Sequence, residues 1–363
     1  MLLVPFAWMP IGVAVVAWYA LSVGALLWAG MRLAALSRSA VGAWGGTLAI
    51  AALCVNFGPI ASCLQRGQFG VLLSALLIES VWQATRRASA LCGGALALAV
   101  ALKAYPVLAI VAPLARREWR TLGALVAWLV ILFAALPAAA IGPRAALELS
   151  SRWASGVLSP ALAGDEVARR SPHSTVNALS STNQSLYGVL GRWLAADAIE
   201  PGQPRVALTN WPPDRVRSLA RGAGAAFLVL AAVALAVSRR GEGWSRWAAW
   251  SIPILLTNVV GEIAWHHYHA SLSLGYAAAG AGALGGADPR ARRLLAVGLV
   301  VAVATNWAHF ASPLVRSSGA LLVGTLALAA SLGLAVLISA SEGRRGVADS
   351  DHGDESIGAR ESG

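Results

Sequence analysis

The chain has 363 residues, of which 57% are hydrophobic and 12% charged. Soluble domains carry about 25% charged residues, so the deficit argues against a water-soluble fold and for a bilayer as the main solvent. The net charge of +11 is not read as a nucleic-acid signal, because the arginines fall in short clusters between apolar runs. Clusters of that kind set membrane topology and contact anionic membrane lipids as a secondary effect.

The N-terminus lacks a basic leader, and Pro5 and Pro10 interrupt its apolar run, so no cleavable signal peptide is expected. Apolar runs follow at 11–31, 41–61, 70–84, 90–115 and 121–142. After a polar, Pro- and Ser-rich stretch they resume at 222–238, 247–260, 268–287, 294–312 and 318–340. The expected architecture is an all-α polytopic membrane protein of about ten membrane segments. Its parts are an N-terminal transmembrane module (1–142), a large extracytoplasmic loop (143–218), a C-terminal transmembrane module (219–341) and a disordered cytoplasmic tail (342–363).

Six arginine clusters lie in the connections at 32/38, 86/87, 116/117/120, 239/240/246, 290/292/293 and 344/345. The opposite short loops hold only Arg66 and Arg316. The positive-inside rule places the six clusters in the cytoplasm and the 143–218 loop outside. The run 90–115 then starts and ends on the same side. Its 26 residues are too few for two crossings of about twenty residues each, which predicts a re-entrant pair of half-helices. The break is expected at Lys103-Ala104-Tyr105-Pro106, since a proline disfavours helix at the residue before it. Broken backbone at membrane depth is tolerated where it is buried or lines a wet cavity, so the break marks a site.

Lys103 is the only lysine beside 27 arginines, and it sits at that break. An intramembrane cation there fits an anionic head group, such as a lipid phosphate; the alternative is a side chain snorkelling to the interface. Arg66-Gly67-Gln68 forms an outward turn after Asn56-Phe57-Gly58-Pro59; Arg66 is a phosphate-binding candidate and Gln68 could hydrogen-bond a sugar or phosphate, with a capped helix start at the membrane surface as the alternative. The stretch from Gly261 to His269 holds three of the six histidines. On an α-helix Glu262 and His266 would share a face, as would His266 and His269. No HExxH spacing is present, and a polar active-site wall is weighed evenly against interfacial anchoring. Cys54, Cys63 and Cys92 form no CxxC pair, so neither a disulfide framework nor a zinc site is indicated.

Taken together, Asn56–Leu77, Gly93–Arg120, the "NQSLYGVLGRWL" block from Asn183 and the "WHHYH" block from Trp265 resemble polyprenyl-phosphate-dependent glycosyltransferases of the GT-C type, family 87. The resemblance implies metal-independent transfer of a hexose, mannose foremost, from a polyprenyl-phosphate sugar donor to a glycolipid or glycan acceptor on the outer face of the cell membrane, with no cofactor. It implies that Lys103, Arg66 and Gln68 hold the donor phosphate. His267 would lie at the reaction centre, with Glu262 as a substitute base, and Asn183, Gln184, Trp265, His266 and Tyr105 would line the substrate groove. The family's early aspartate has no counterpart, since no acidic residue precedes Glu79. That absence and the outside-to-inside direction of the first run lead to the expectation that a preceding span is missing. A transporter or flippase of a lipid-linked or anionic substrate, and a truncated inactive remnant, are the alternative readings.

Overall fold

A computed structural model describes residues 4–155, 179–195, 204, 206–261 and 263–358. Those residues are almost wholly helical and form no strand beyond two isolated bridges, so the chain is an all-α polytopic membrane protein. The apolar runs expected from the sequence are mainly helical, with breaks at Asn56 and Lys103 among them. Among the described residues five helical stretches are long and apolar enough to cross a membrane: Ile11–Val55, Trp119–Ile141, Pro213–Val237, Pro289–Ala311 and Ala320–Glu342. Shorter apolar helices lie between them at Gly70–Thr85, Ser89–Leu102 and Tyr105–Ala115.

The first stretch is a hairpin, α1 (Ile11–Val41) and α2 (Gly45–Val55), which pack against one another. The turn is made at Gly42. Leu27 and Met31 point outward and are well exposed while Ala29 and Leu33 are buried, the inside-out pattern of a lipid-facing helix. Asn56 separates α2 from α3 (Phe57–Gln65), and α4 (Gly70–Thr85) follows.

The re-entrant pair is present. Helix α5 (Ser89–Leu102) stops at Lys103, whose backbone is extended (φ −157°, ψ 133°), and the chain returns as a 3-10 segment (Tyr105–Ile110) and α6 (Val111–Ala115). The helix ends where Pro106 dictates, because a proline ring clashes with the carbonyl four residues earlier, here that of Leu102. The extended residue is thus Lys103 rather than Tyr105, where the proline rule alone would put it.

Both ends of this pair come to the same end of the bundle. The Arg116 guanidinium donates to the backbone carbonyls of Ser238 and Arg239, at 3.1 and 2.8 Å, and pairs with Glu118 at 3.1 Å. Arg246 donates to Glu118 at 2.7 Å and to the Ala84 carbonyl at 3.0 Å, and Arg87 pairs with Glu242. Three of the arginine clusters are therefore one interlocked layer.

Helix α7 (Trp119–Ile141, with a π-turn at Ile131–Ala135) packs on α5. Beyond it, α8 (Pro143–Trp153) and α9 (Leu186–Leu194) belong to the long loop, and α10 begins at Pro213 and runs to Val237. The fully buried Trp247 and Trp250 of α11 (Gly243–Val260) fill the centre. Helix α12 (Leu272–Ala281) is buried along its whole length. Helix α13 (Pro289–Ala311), the short α14 (Pro313–Ser317) and α15 (Ala320–Gly358) close the bundle, with α13 and α15 paired. The apolar part of α15 ends at Glu342, where the polar tail was expected to start.

The candidate active site at the histidine segment

At the end of the bundle opposite the arginine layer, residues 263–265 are extended and His266–Ser271 form a 3-10 turn. The chain passes through extended backbone at Trp265 (ψ 150°) before the turn begins, so no α-helix leads into His266. Glu262 itself lies outside the described residues.

Three clamps hold this segment. Asn56, fully buried, donates from Nδ2 to the His269 and Ala270 carbonyls and to Ser273 Oγ, at 3.1, 2.8 and 3.0 Å. The Cys63 thiol donates to the His267 carbonyl at 3.0 Å. Asn183 Oδ1 accepts from the Ala264 and Ser185 amides at 2.8 and 3.1 Å, and the Gln184 amide donates to the Ala264 carbonyl at 2.8 Å. Gln184 also donates from Nε2 to the Arg316 carbonyl at 2.9 Å. Asn183 and Gln184 are fully buried and position backbone. These hydrogen bonds to backbone groups make the two residues a structural clamp beside the histidine segment. Arg192, also buried, donates to the Ser180, Asn183 and Ser317 carbonyls at 2.7–2.8 Å, fixing α9 to the turn after α14.

One side of the segment faces Lys103. Its Nζ lies 3.6 Å from the centroid of the Tyr268 ring, and Tyr268 stacks on Tyr105 at 5.0 Å between centroids. The other side faces a cavity of about 410 Å³ lined by Arg66, Arg316, Ser62, Gln65, His266 and His309, with Phe57, Trp307 and Phe310 at its apolar wall. His266 Nε2 shares a hydrogen bond of 2.7 Å with Ser62 Oγ. Lys103 does not line this cavity, and neither does Gln68. The Gln68 amide instead donates to the Cys63 carbonyl at 2.9 Å and that of Gly67 to the Leu64 carbonyl at 3.2 Å. With Gly67 at φ +60°, the turn is a glycine-terminated cap at the end of α3.

His266 and His267 precede the apolar run of α12, in the connection between helices. Burial, then the charges of Arg66 and Arg316, pushes His266 down to about 4. Burial, then Lys103, His266 and Arg66, pushes His267 down to about 3. Both are neutral imidazoles at physiological pH, able to donate or accept a hydrogen bond. Among the described residues no group of three His, Cys, Asp or Glu side chains is arranged to hold a metal ion. Glu79 pairs with Arg32 at 2.6 Å and accepts from Trp28 and Gln83, about 14 Å along α4 from Gly70 and the histidine segment.

A family model for glycosyltransferase family 87 matches residues 1–209. The chain belongs to glycosyltransferase family 87. No curated protein and no solved structure is significantly similar to it. The family match contains Lys103, Arg66, Gln68, Asn183 and Gln184 but ends before the histidine segment. Tertiary contacts join the two: Asn56, Cys63, Asn183 and Gln184, all within the matched region, are the residues that clamp 264–273. Sequence reasoning missed the clamp role of Asn56 and the cavity roles of Ser62, Arg316 and His309. Arg316 carried one signal, since with Arg66 it defies the charge asymmetry of the loops.

Proposed function

We propose that this family 87 membrane glycosyltransferase moves a hexose from a polyprenyl-phosphate donor to a glycolipid or glycan acceptor at the histidine segment. The arginine layer faces the cytoplasm by the positive-inside rule, so the site faces the exterior. The carrying observation is the amphipathic cavity beside His266. Phe57 and Trp307, 62% and 58% exposed, form an apolar wall suited to a prenyl chain, and Arg66 and Arg316 form a cationic floor suited to its phosphate.

In the transfer, the acceptor oxygen bonds to the anomeric carbon while the bond from that carbon to the phosphate oxygen breaks. Polyprenyl phosphate leaves with the bonding electron pair, and the acceptor proton passes to a base. Arg66 and Arg316 stabilise the charge that grows on the departing phosphate. His267 sits between Arg66 and Lys103 in electrostatic terms and feels both. A phosphate bound beside it offsets those cations and raises its affinity for the acceptor proton. Trp265, half-buried at the start of the segment, offers a flat surface for a sugar ring.

The test is transfer of radiolabelled hexose from polyprenyl phosphate to lipid in membranes containing the full chain. Arg66→Gln and Arg316→Gln should each raise the donor KM about tenfold, the worth of a charged hydrogen bond. Transfer from a nucleotide sugar but from no lipid-phosphate hexose would refute the donor assignment.

A further inference from the structure

We infer that the arginine layer is itself a binding site for a ligand carrying two phosphoryl groups, at the end of the bundle away from the histidine segment. A cavity of about 750 Å³ opens there, between the turns that join α4 to α5, α6 to α7 and α10 to α11, and seven arginines but only two glutamates line it. Three of the arginines are engaged. Arg116 and Arg246 share Glu118 and each donates to separate backbone carbonyls, and Arg87 pairs with Glu242. The other four, Arg117, Arg120, Arg239 and Arg240, form no ion pair or hydrogen bond from their guanidinium groups among the described residues and line the same space. Four like charges gathered in one cavity repel one another, and a polyanion relieves that repulsion while accepting their paired N–H groups.

Backbone geometry is a second, independent observation. Arg87 and Arg117 are the only residues other than glycine with positive φ among the described residues, at +58° and +57°. Each occupies the same position in the same motif. The Arg87 amide donates to the Ala84 carbonyl and that of Ala88 to the Gln83 carbonyl; the Arg117 amide donates to the Leu114 carbonyl and that of Glu118 to the Pro113 carbonyl. This is the helix-terminating turn in which glycine is the residue without steric penalty, and Gly67 occupies that position at the end of α3. Two such turns carry arginine instead, and both side chains line the cavity. Membrane topology does not require it, because Arg86 and Arg116, one position earlier at ordinary φ of −83° and −82°, already charge those turns. Residues held in sparsely populated backbone conformations cluster at ligand clamps.

The cavity lies at the ends of apolar helices, where the positive-inside rule puts lipid head groups. A diphosphate there has two sources, an anionic lipid with two phosphates in its head group or a soluble pyrophosphate. The full chain in phosphatidylcholine nanodiscs separates them by thermal unfolding, with pyrophosphate titrated into one series and diphosphatidylglycerol built into the discs of another. A saturable rise in Tm with either probe is expected. A rise with the lipid alone assigns the head group, and one with pyrophosphate alone assigns a soluble ligand. In Arg240→Gln and Arg117→Gly the half-saturating concentration should rise about tenfold. Without anion, Arg117→Gly should unfold no lower than the parent chain, since glycine relieves the positive φ, and Arg240→Gln carries the test if it does not. No rise in Tm with either probe, or unchanged half-saturation in both variants, overturns the site. Neither variant touches the histidine segment, so this outcome is separate from that of the transferase assay.

Discussion

The Lys103 ammonium nitrogen lies 3.6 Å from the centroid of the Tyr268 ring. The only lysine of the chain, at the break of the re-entrant pair, is thus held against the centre of the histidine segment. A cation over an aromatic face is worth about 0.5–2 kcal/mol depending on its desolvation. Lys103→Ala frees the Tyr268 ring and with it the histidine segment, and should lower kcat for hexose transfer about tenfold, the scale of one desolvated cation–π contact. Lys103→Arg, which keeps the charge and the ring contact, should retain most of the rate. Equal turnover in the alanine variant and the parent would remove Lys103 from the reaction.

Asn56 tests the clamp separately from the chemistry. Its amide nitrogen serves three acceptors in a fully buried position. Asn56→Ala should destabilise the protein by about 1–3 kcal/mol, because buried acceptors lose their donor. Thermal unfolding in detergent reads the loss, and limited proteolysis should show new cleavage between residues 261 and 271. A protease pattern identical to the parent's would mean that other contacts suffice to hold the segment.

Gly70 opens α4 against the same turn. A Cβ there would meet the Cys63 sulfur and the His267 carbonyl oxygen. Gly70→Ala must push the two elements apart, at a cost of about 1–3 kcal/mol for overpacking. It should also break the Cys63–His267 hydrogen bond and reduce transfer more than Lys103→Arg does. Wild-type stability together with wild-type transfer would show that the turn moves freely, contrary to its packing.

The histidines give a pH signature. His266 and His267 are held down at about 4 and about 3, against an unfolded value of about 6.5. The unfolded chain binds more protons in that interval. The stability these groups lend is therefore complete above pH about 6.5 and is lost as pH falls toward their folded values. His266→Asn should flatten the decline of Tm between pH about 6.5 and 4 while leaving the neutral-pH assay profile unshifted. A decline equally steep in the variant would mean that the acid sensitivity has another source.

Much of the fold was legible before any coordinates. Apolar runs of bilayer length gave the helices, and the arginine clusters gave their pairing at one end, because both signals depend on local composition. The break at Lys103 was legible for the same reason: Pro106 forbids a continuing helix by a clash four residues back. The backbone of the histidine segment was not legible. Its residues suit a helix locally, but the hydrogen bonds from Asn56 and Asn183 pull it into extended and 3-10 backbone, and those partners lie 213 and 81 residues away in the chain. That Asn183 and Gln184 are buried was not legible either, because a polar cluster carries no mark of burial.

By itself, the order of residues determined that this is a helical membrane protein with a kinked pair around a solitary lysine, since hydropathy, charge bias and proline geometry act within a few residues. Only the tertiary structure decided that Arg66 and Arg316, 250 positions apart, share one cavity, and that four arginines from two different turns face another. Electrostatic fields and cavities depend on distance through space, and a linear sequence does not record that distance.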